Sequence, residues 1–170
     1  LALTAGLVYV GLAVVRLPFP LLADEEATLA QTAAALAASG VAIMTNGPGP
    51  EQIPPVKRLV AEGVTVFVGS DNIRDAWSPY GNGDMLERAR LVGYRAALLT
   101  DDELRLALAL VTAAPAQVMG LPAPRIEAGA PADLVVLRAA HVPEAVAAAP
   151  PRDLVIKAGR VIAEAGVLRG

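Results

Sequence analysis

The sequence contains no cysteine and only one histidine, His141. The absence of cysteine excludes disulfide bonds and thiolate metal sites, which leaves carboxylate, imidazole and water as ligand types. The sequence also has no surplus of basic residues. It contains 14 Lys and Arg and 17 Asp and Glu, which give a formal net charge of -3. Without a basic stripe to follow a phosphate backbone, we expect no nucleic acid partner.

The amino-terminal apolar run, residues 1–15, is too short to span a bilayer. It has neither the initiating Met nor the preceding basic region that a secretory signal would show. We therefore expect an internal buried strand with its loop, no membrane partner and a cytoplasmic protein. A chain that begins with Leu inside an apolar run is expected to be a piece of a longer protein.

With 170 residues, 55% of them hydrophobic, the chain is long enough to bury the core of one ordinary domain. Its first part alternates apolar runs with helical stretches. The runs cover residues 1–15, 41–46 and 64–68, and the helices between them cover 24–38 and 54–62. This order of strand, helix, strand, helix and strand is the alternation of a parallel α/β protein.

The second half of the chain is first helical and then rich in β-forming residues. Helices are predicted over 83–99, 101–113 and 115–119, and strands over 132–137, 153–157 and 160–163. The short link between Lys157 and Arg160 contains glycine and predicts a hairpin between the last two strands. The Ala/Pro-rich stretch 145–151 is predicted to be a surface loop or a short helix without chemistry.

The strand predicted at 64–68 ends at Gly69 and is followed by Ser70 and Asp71. Because α/β proteins build their sites at the carboxyl ends of parallel strands, Asp71 is a candidate functional carboxylate. An Asp after a strand is, from spacing alone, more often a cap for the next turn. Trp77, further along the same loop, suits both a pocket wall and a buried packing anchor.

The polar cluster after this strand carries a family pattern. Residues 69–81 read GSDNIRDAWSPYG and, with MTN at 44–46 and PVKRL at 55–59, resemble the cytosine deaminase branch of the amidohydrolase superfamily. The sequence IEAGAPADLVVL at 126–137 is similar to the stretch with which many amidohydrolases return from the barrel to a small β-sandwich. GRVIA at 159–163 matches the residues that usually follow this stretch near the end of such proteins. The likeness therefore covers residues 29–163.

This resemblance implies an α/β fold, namely the carboxyl-terminal part of a (β/α)8 TIM-type barrel followed by strands of a small β-sandwich domain. Residues 1–121 are then the partial barrel, with its sixth to eighth strands and the helices that follow. Residues 122–170 are the carboxyl-terminal part of the sandwich. The strand at 64–68 corresponds to the eighth barrel strand.

The resemblance also implies roles for individual residues. In such enzymes a carboxylate at the end of the eighth strand contacts a divalent metal, iron or zinc. It also takes a proton from the water that attacks the ring carbon and expels ammonia or an amine. Asp71 falls on this position and is the predicted catalytic residue and metal ligand. Trp77 matches a pocket-lining Trp, and the other predicted substrate-binding residues are Asn46, Asn72 and Asp75.

The implied activity is metal-dependent hydrolysis of non-peptide C–N bonds, most simply the deamination of a small cytosine-like or related heterocycle.

The family binds its metal through a His-x-His pair on the first strand and a His on the fifth, beside a catalytic Glu, and all of these would precede Leu1. A sixth-strand His would align with Ala5. Either this part has diverged or been mis-translated, or the likeness begins at the following helix. His141 is predicted in the β-rich region and cannot replace the missing ligand, so we expect that this chain alone does not retain the metal.

Two functional interpretations stay open. The chain is either the carboxyl-terminal portion of a metal-dependent hydrolase or a catalytically inactive amidohydrolase-fold protein that serves binding or assembly. An unrelated α/β small-molecule-binding domain would account for the alternation but not for the Trp-bearing loop.

Three barrel strands leave sheet edges and apolar faces uncovered, so we predict that the isolated chain aggregates or self-associates, which is compatible with a homo-oligomer.

Overall fold

A computed structural model describes residues 26–47 and 52–170 of the chain. The strand predicted at 1–15, and with it Ala5, lies outside the described residues. The described part is a mixed α/β structure with two separate sheets. Its elements in chain order are α1 Glu26–Ala38, β1 Ile43–Thr45, α2 Val56–Ala61, β2 Val66–Val68, α3 Met85–Arg95, α4 Asp101–Val111, α5 Ala113–Val118, β3 Leu134–Leu137, α6 Val142–Ala148, β4 Arg152–Lys157, β5 Arg160–Glu164 and β6 Val167–Leu168.

Strands β1 and β2 pair in parallel, with Ile43 opposite Val66 and Thr45 opposite Val68. All three residues of β2 are buried, as expected for an apolar strand covered on both faces. Helix α2 lies between the two strands in the chain and makes the crossover that parallel pairing requires. The predicted alternation of strand and helix is therefore confirmed for the described residues.

Two local signals determine where helices α3 and α4 begin. The Asp84 carboxylate caps α3 by accepting hydrogen bonds from the backbone N–H groups of Leu86 and Glu87. Thr100 and Glu103 form a capping box at the start of α4. Helix α3 ends at Arg95, before the predicted 99, because Ala97 adopts a left-handed backbone conformation with φ of 51° that turns the chain.

The carboxyl-terminal strands form one antiparallel sheet in the order β3, β4, β5, β6. Lys157 pairs with Arg160, which confirms the predicted hairpin between β4 and β5. Strand β6 was not predicted, because its two residues carry no pattern of their own and are defined by pairing with β5. The Asp133 carboxylate accepts a hydrogen bond from the Ala158 backbone N–H and pairs with Lys157, so this residue has a structural role at the hairpin.

The Ala/Pro-rich stretch forms a packed helix, α6, that begins earlier than the predicted 145. His141 caps it by accepting a hydrogen bond at Nδ1 from the Glu144 backbone N–H. Val146 is fully buried in the same hydrophobic core as Val92 of α3 and Leu110 of α4. Of the two predicted alternatives, the short helix is confirmed and the surface loop is wrong, because burial of this apolar face holds the helix against the α/β part.

The antiparallel sheet leaves several large apolar side chains exposed, among them Val135, Val161 and Val167. None of the helices in the described ranges combines the length and the apolar character needed to cross a membrane.

Candidate active site

The carboxyl ends of β1 and β2 lie at the same edge of the parallel pair, and a polar residue follows each strand. Asn46 comes directly after β1, and Asp71 follows β2 after Gly69 and Ser70. The Gly69 backbone N–H donates to the Thr45 carbonyl over 3.0 Å and so extends the pairing beyond the strands. Asn46 Nδ2 then donates to Asp71 Oδ2 over 2.5 Å. Two of the predicted site residues are thus brought into direct contact.

Asp71 has an uncommon backbone conformation for a residue other than glycine. Its φ of 52° lies in the left-handed region, which Asp tolerates better than most residues because its short side chain bonds locally. The side chain is exposed, and within the described part of the chain no hydrogen bond engages Oδ1. Backbone strain of this kind clusters at functional sites, where the surrounding structure maintains it.

The loop after Asp71 is organised by the Asp75 carboxylate. It accepts hydrogen bonds from the backbone N–H groups of Trp77, at 2.9 Å, and Ser78, at 3.0 Å, and from Asn72 Nδ2, at 2.7 Å. The hydrogen bond from the Asn72 amide, followed by that from Trp77, lowers the pKa of Asp75 below its usual value because both favour the charged form. Asn72 and Asp75 therefore contact each other, and the hydrogen bond to Asp71 comes from Asn46.

The Trp77 side chain is 84% exposed on this loop. Tyr80, at the end of the same loop, is also largely exposed, although its backbone carbonyl accepts a hydrogen bond from the Arg74 N–H over 2.9 Å. Within the described residues, no neighbouring side chains cover Trp77 as they would a buried packing anchor. The indole is accessible to a ligand.

Two arginines of α3 also reach this edge and were not predicted from the sequence. Arg88 is buried and donates from Nη1 to the Asn46 carbonyl over 3.3 Å. Arg95, further along the helix, donates to the Gly47 carbonyl. The signal that could have identified Arg88 is its place on the face of α3 that also buries Ala89 and Val92, where a charge is unexpected.

A large cavity of about 750 Å³ lies elsewhere, between the helices α3 and α4 and the strands β3 and β4. Its lining is mainly apolar and includes Leu108 and Val135, with the ion pair of Asp84 and Arg152 on one side. None of the predicted site residues lines it. The cavity is therefore separate from the strand ends that carry Asp71.

Asp71 fits a divalent metal as one oxygen ligand, since carboxylates suit such cations and Oδ1 is open. The described residues contain no group of three or more His, Cys, Asp or Glu that could complete a metal site. His141 is engaged at Nδ1 as the cap of α6.

Comparison with known proteins identifies the family. The sequence matches the amidohydrolase family over residues 18–163. This chain belongs to the amidohydrolase family. It is 37% identical over 131 residues to the N-isopropylammelide isopropyl amidohydrolase of Pseudomonas sp. (strain ADP). The aligned region covers 76% of this chain and 32% of the Pseudomonas protein. The predicted family resemblance is confirmed.

Two solved amidohydrolase structures superpose on this chain. The N-isopropylammelide isopropylaminohydrolase from Burkholderia multivorans gives a TM-score of 0.79 at 41% identity and covers 85% of this chain and 37% of that one. The 5-methylcytosine deaminase from Klebsiella pneumoniae, with bound 5-fluorocytosine, superposes with a TM-score of 0.73 at 26% identity. This match covers 86% of the present chain and 39% of the deaminase chain. These relatives confirm the cytosine deaminase-like branch. The chain spans about a third of the length of the relatives that it matches.

Proposed function

We propose that this chain forms the carboxyl-terminal part of the active site of a metal-dependent hydrolase of non-peptide C–N bonds. Asp71 is its catalytic carboxylate and one ligand of the metal. The observation that carries the proposal is the contact between Asn46 and Asp71 at the carboxyl ends of two neighbouring parallel strands. That edge is where barrel enzymes assemble their catalytic groups.

The proposed architecture assigns β1 and β2 to the seventh and eighth strands of a (β/α)8 barrel that occupies residues 1–121. Residues 122–170 belong to a small β-sandwich, to which the antiparallel strands contribute one sheet. The parallel pairing of β1 and β2 supports the first assignment, and the single antiparallel sheet of β3 to β6 supports the second. The similarity in fold to two amidohydrolase structures supports both.

The chemistry follows from the state of the Asp71 carboxylate. A bound divalent cation would supply Lewis acidity, which makes a nearby water easier to deprotonate. Asp71 accepts the proton of the attacking water and passes it to the departing amine, as a positioned general base and acid does. The hydrogen bond from Asn46 to Oδ2 holds the carboxylate in one orientation, so that one carboxylate oxygen would be able to hold the cation while the other accepts the proton.

The substrate is proposed to be a small heterocycle that carries an exocyclic amine. Relatives named for N-isopropylammelide and 5-methylcytosine support this class. The exposed Trp77 indole offers a flat apolar face to such a ring. Asn46 is placed to contact the ring beside Asp71, while Asn72 and Asp75 shape the loop that presents Trp77.

The test is amine release by the complete natural protein that carries this chain. We would incubate it with Zn²⁺ or Fe²⁺ and with N-isopropylammelide, cytosine or 5-methylcytosine, and measure ammonia or isopropylamine together with the bound metal. The proposal predicts turnover of at least one ring and one metal ion per chain. A protein that binds no metal and releases no amine would instead support an inactive amidohydrolase-fold protein that serves binding or assembly.

A further inference from the structure

Arg88 is the one charged residue among the buried residues of the described part of the chain, with 8% of its surface exposed. Burying a guanidinium is costly unless hydrogen bonds or an opposite charge compensate it. Within the described residues, no carboxylate forms an ion pair with Arg88. Its position in the interior therefore requires an explanation from its other contacts.

The guanidinium lies between the two loops that carry the candidate site. On one side, Nη1 donates to the Asn46 carbonyl over 3.3 Å. On the other side, a Cβ added to Gly81 would lie 3.4 Å from Nη2 and 3.1 Å from the Asn72 carbonyl oxygen. Gly81 has a φ of 102°, so glycine gives the guanidinium room beside the second loop.

The same face of α3 also contacts Gly47, the residue after Asn46. Arg95 donates to the Gly47 carbonyl, and a Cβ on Gly47 would lie only 2.6 Å from Val92 Cγ2. The backbone at the end of β1 is thus pressed against α3 and bonded to it at two successive carbonyls. This contact leaves the Asn46 side chain directed at Asp71.

We propose that Arg88 is a positioning residue for Asp71, which acts by fixing the backbone of Asn46. With this backbone fixed, the Asn46 amide meets Oδ2 and holds the carboxylate in one orientation. The consequence for the reaction rests on the proposed function, whereas the consequence for the contact between Asn46 and Asp71 does not. Arg88 itself touches neither the substrate nor the reacting atoms.

The experiment compares the complete natural protein with its Arg88→Met, Arg88→Lys and Arg90→Met variants. Arg90 is a matched control, because it lies on the same helix but is exposed and donates to the Ala148 carbonyl. Two readouts are measured, namely the distance from Asn46 Nδ2 to Asp71 Oδ2 in crystal structures and the separate values of kcat and KM. The first readout does not depend on any activity.

We expect the Asn46 to Asp71 hydrogen bond to be lost in Arg88→Met, and kcat to fall about 5-fold with little change in KM, because the carboxylate is no longer held in one orientation. Arg88→Lys, which keeps a cation and a donor, should recover part of kcat. Arg90→Met should leave both readouts unchanged.

The proposal is overturned if Arg88→Met keeps this hydrogen bond, or if it keeps the wild-type kcat in an active protein. If Arg88→Met does not fold, Arg88→Gln, whose side chain is shorter and uncharged, decides by the same readouts, and an intact Asn46 to Asp71 hydrogen bond with the wild-type kcat in that variant would overturn the proposal. If the wild-type protein releases no amine, the proposed function fails, and the crystallographic distance alone decides the role of Arg88.

Discussion

The Asn46 side-chain amide and the Asp71 carboxylate are joined by a hydrogen bond of 2.5 Å, although 25 positions separate them in the chain. The parallel pairing of β1 and β2 brings them together, because it aligns the carboxyl ends of the two strands. The candidate catalytic carboxylate is thus held by a residue that directly follows the neighbouring strand.

Replacing Asn46 should impair the reaction in a graded way. Asn46→Ala removes a hydrogen bond worth about 1 kcal/mol, which corresponds to a several-fold loss in kcat/KM. Asn46→Asp should be more damaging, because a second carboxylate beside Asp71 repels the ionised form. Amine release by the complete protein is the measurement. Asn82→Ala, which removes a side-chain hydrogen bond to Glu87, is the control, and equal activity of all three variants would contradict the prediction.

Two glycines with positive φ allow the packing of the β1 end to be measured separately from backbone strain. Gly40 has a φ of 64° and open space around it, whereas Gly47 has a φ of 80° and lies against Val92. Gly40→Ala should cost about 1–2 kcal/mol of the free energy of unfolding through strain alone. Gly47→Ala should cost about 1–3 kcal/mol more through overpacking. Urea unfolding measures the difference, and equal losses would show that α3 does not press on this loop.

The local order of the chain could be predicted from the sequence. A β-branched run ended by Gly69 predicts β2 and the position of Asp71, and the glycine in the link after Lys157 predicts the hairpin of β4 and β5. These features depend on neighbours in the sequence. Helix α6 was predicted only as one of two alternatives, a surface loop or a short helix that begins at 145, and its earlier start was missed although His141, Pro143 and Glu144 carry helix-start signals.

Contacts between distant segments could not be predicted in the same way. The hydrogen bond of Arg88 to Asn46 joins residues 42 positions apart and depends on how α3 packs against the end of β1. The pairing of Asn72 with Asp75 was also missed, since both are ordinary loop residues whose side chains were assigned to the substrate. Tertiary packing and loop hydrogen bonds, which the hydrophobic pattern does not encode, determine both contacts.

The loop that bears Trp77 should lose order in acid. Because the pKa of Asp75 is lowered in the folded state, its carboxylate stabilises the loop at pH values above the ordinary 3.8, and this stabilisation is lost as the pH falls from 3.8 through the lowered value. Nuclear magnetic resonance of the Trp77 and Ser78 amides should follow this transition. Asp75→Ala should abolish it, whereas Asp102→Ala should not. Amide signals that titrate identically in Asp75→Ala would contradict the assignment.

Substitution of Trp77 should affect substrate affinity more than stability. Its indole is exposed, so Trp77→Ala should change the free energy of unfolding by no more than about 0.5 kcal/mol. Loss of stacking on a ring, worth about 1–3 kcal/mol, should raise KM, and Trp77→Phe should retain most of the affinity. Tyr94→Ala removes another exposed aromatic side chain and serves as the control. An unchanged KM in Trp77→Ala would exclude the indole from the pocket.

The proposed role of Asp71 is the central claim, and one comparison tests it most directly. Amine release is measured for the complete natural protein, for Asp71→Asn and for Asp102→Asn, which changes an exposed carboxylate on α4. Loss of a general acid and base predicts that Asp71→Asn lowers kcat by about 10²- to 10⁴-fold, while Asp102→Asn retains the wild-type rate. An Asp71→Asn variant that releases amine at the wild-type rate would contradict the account.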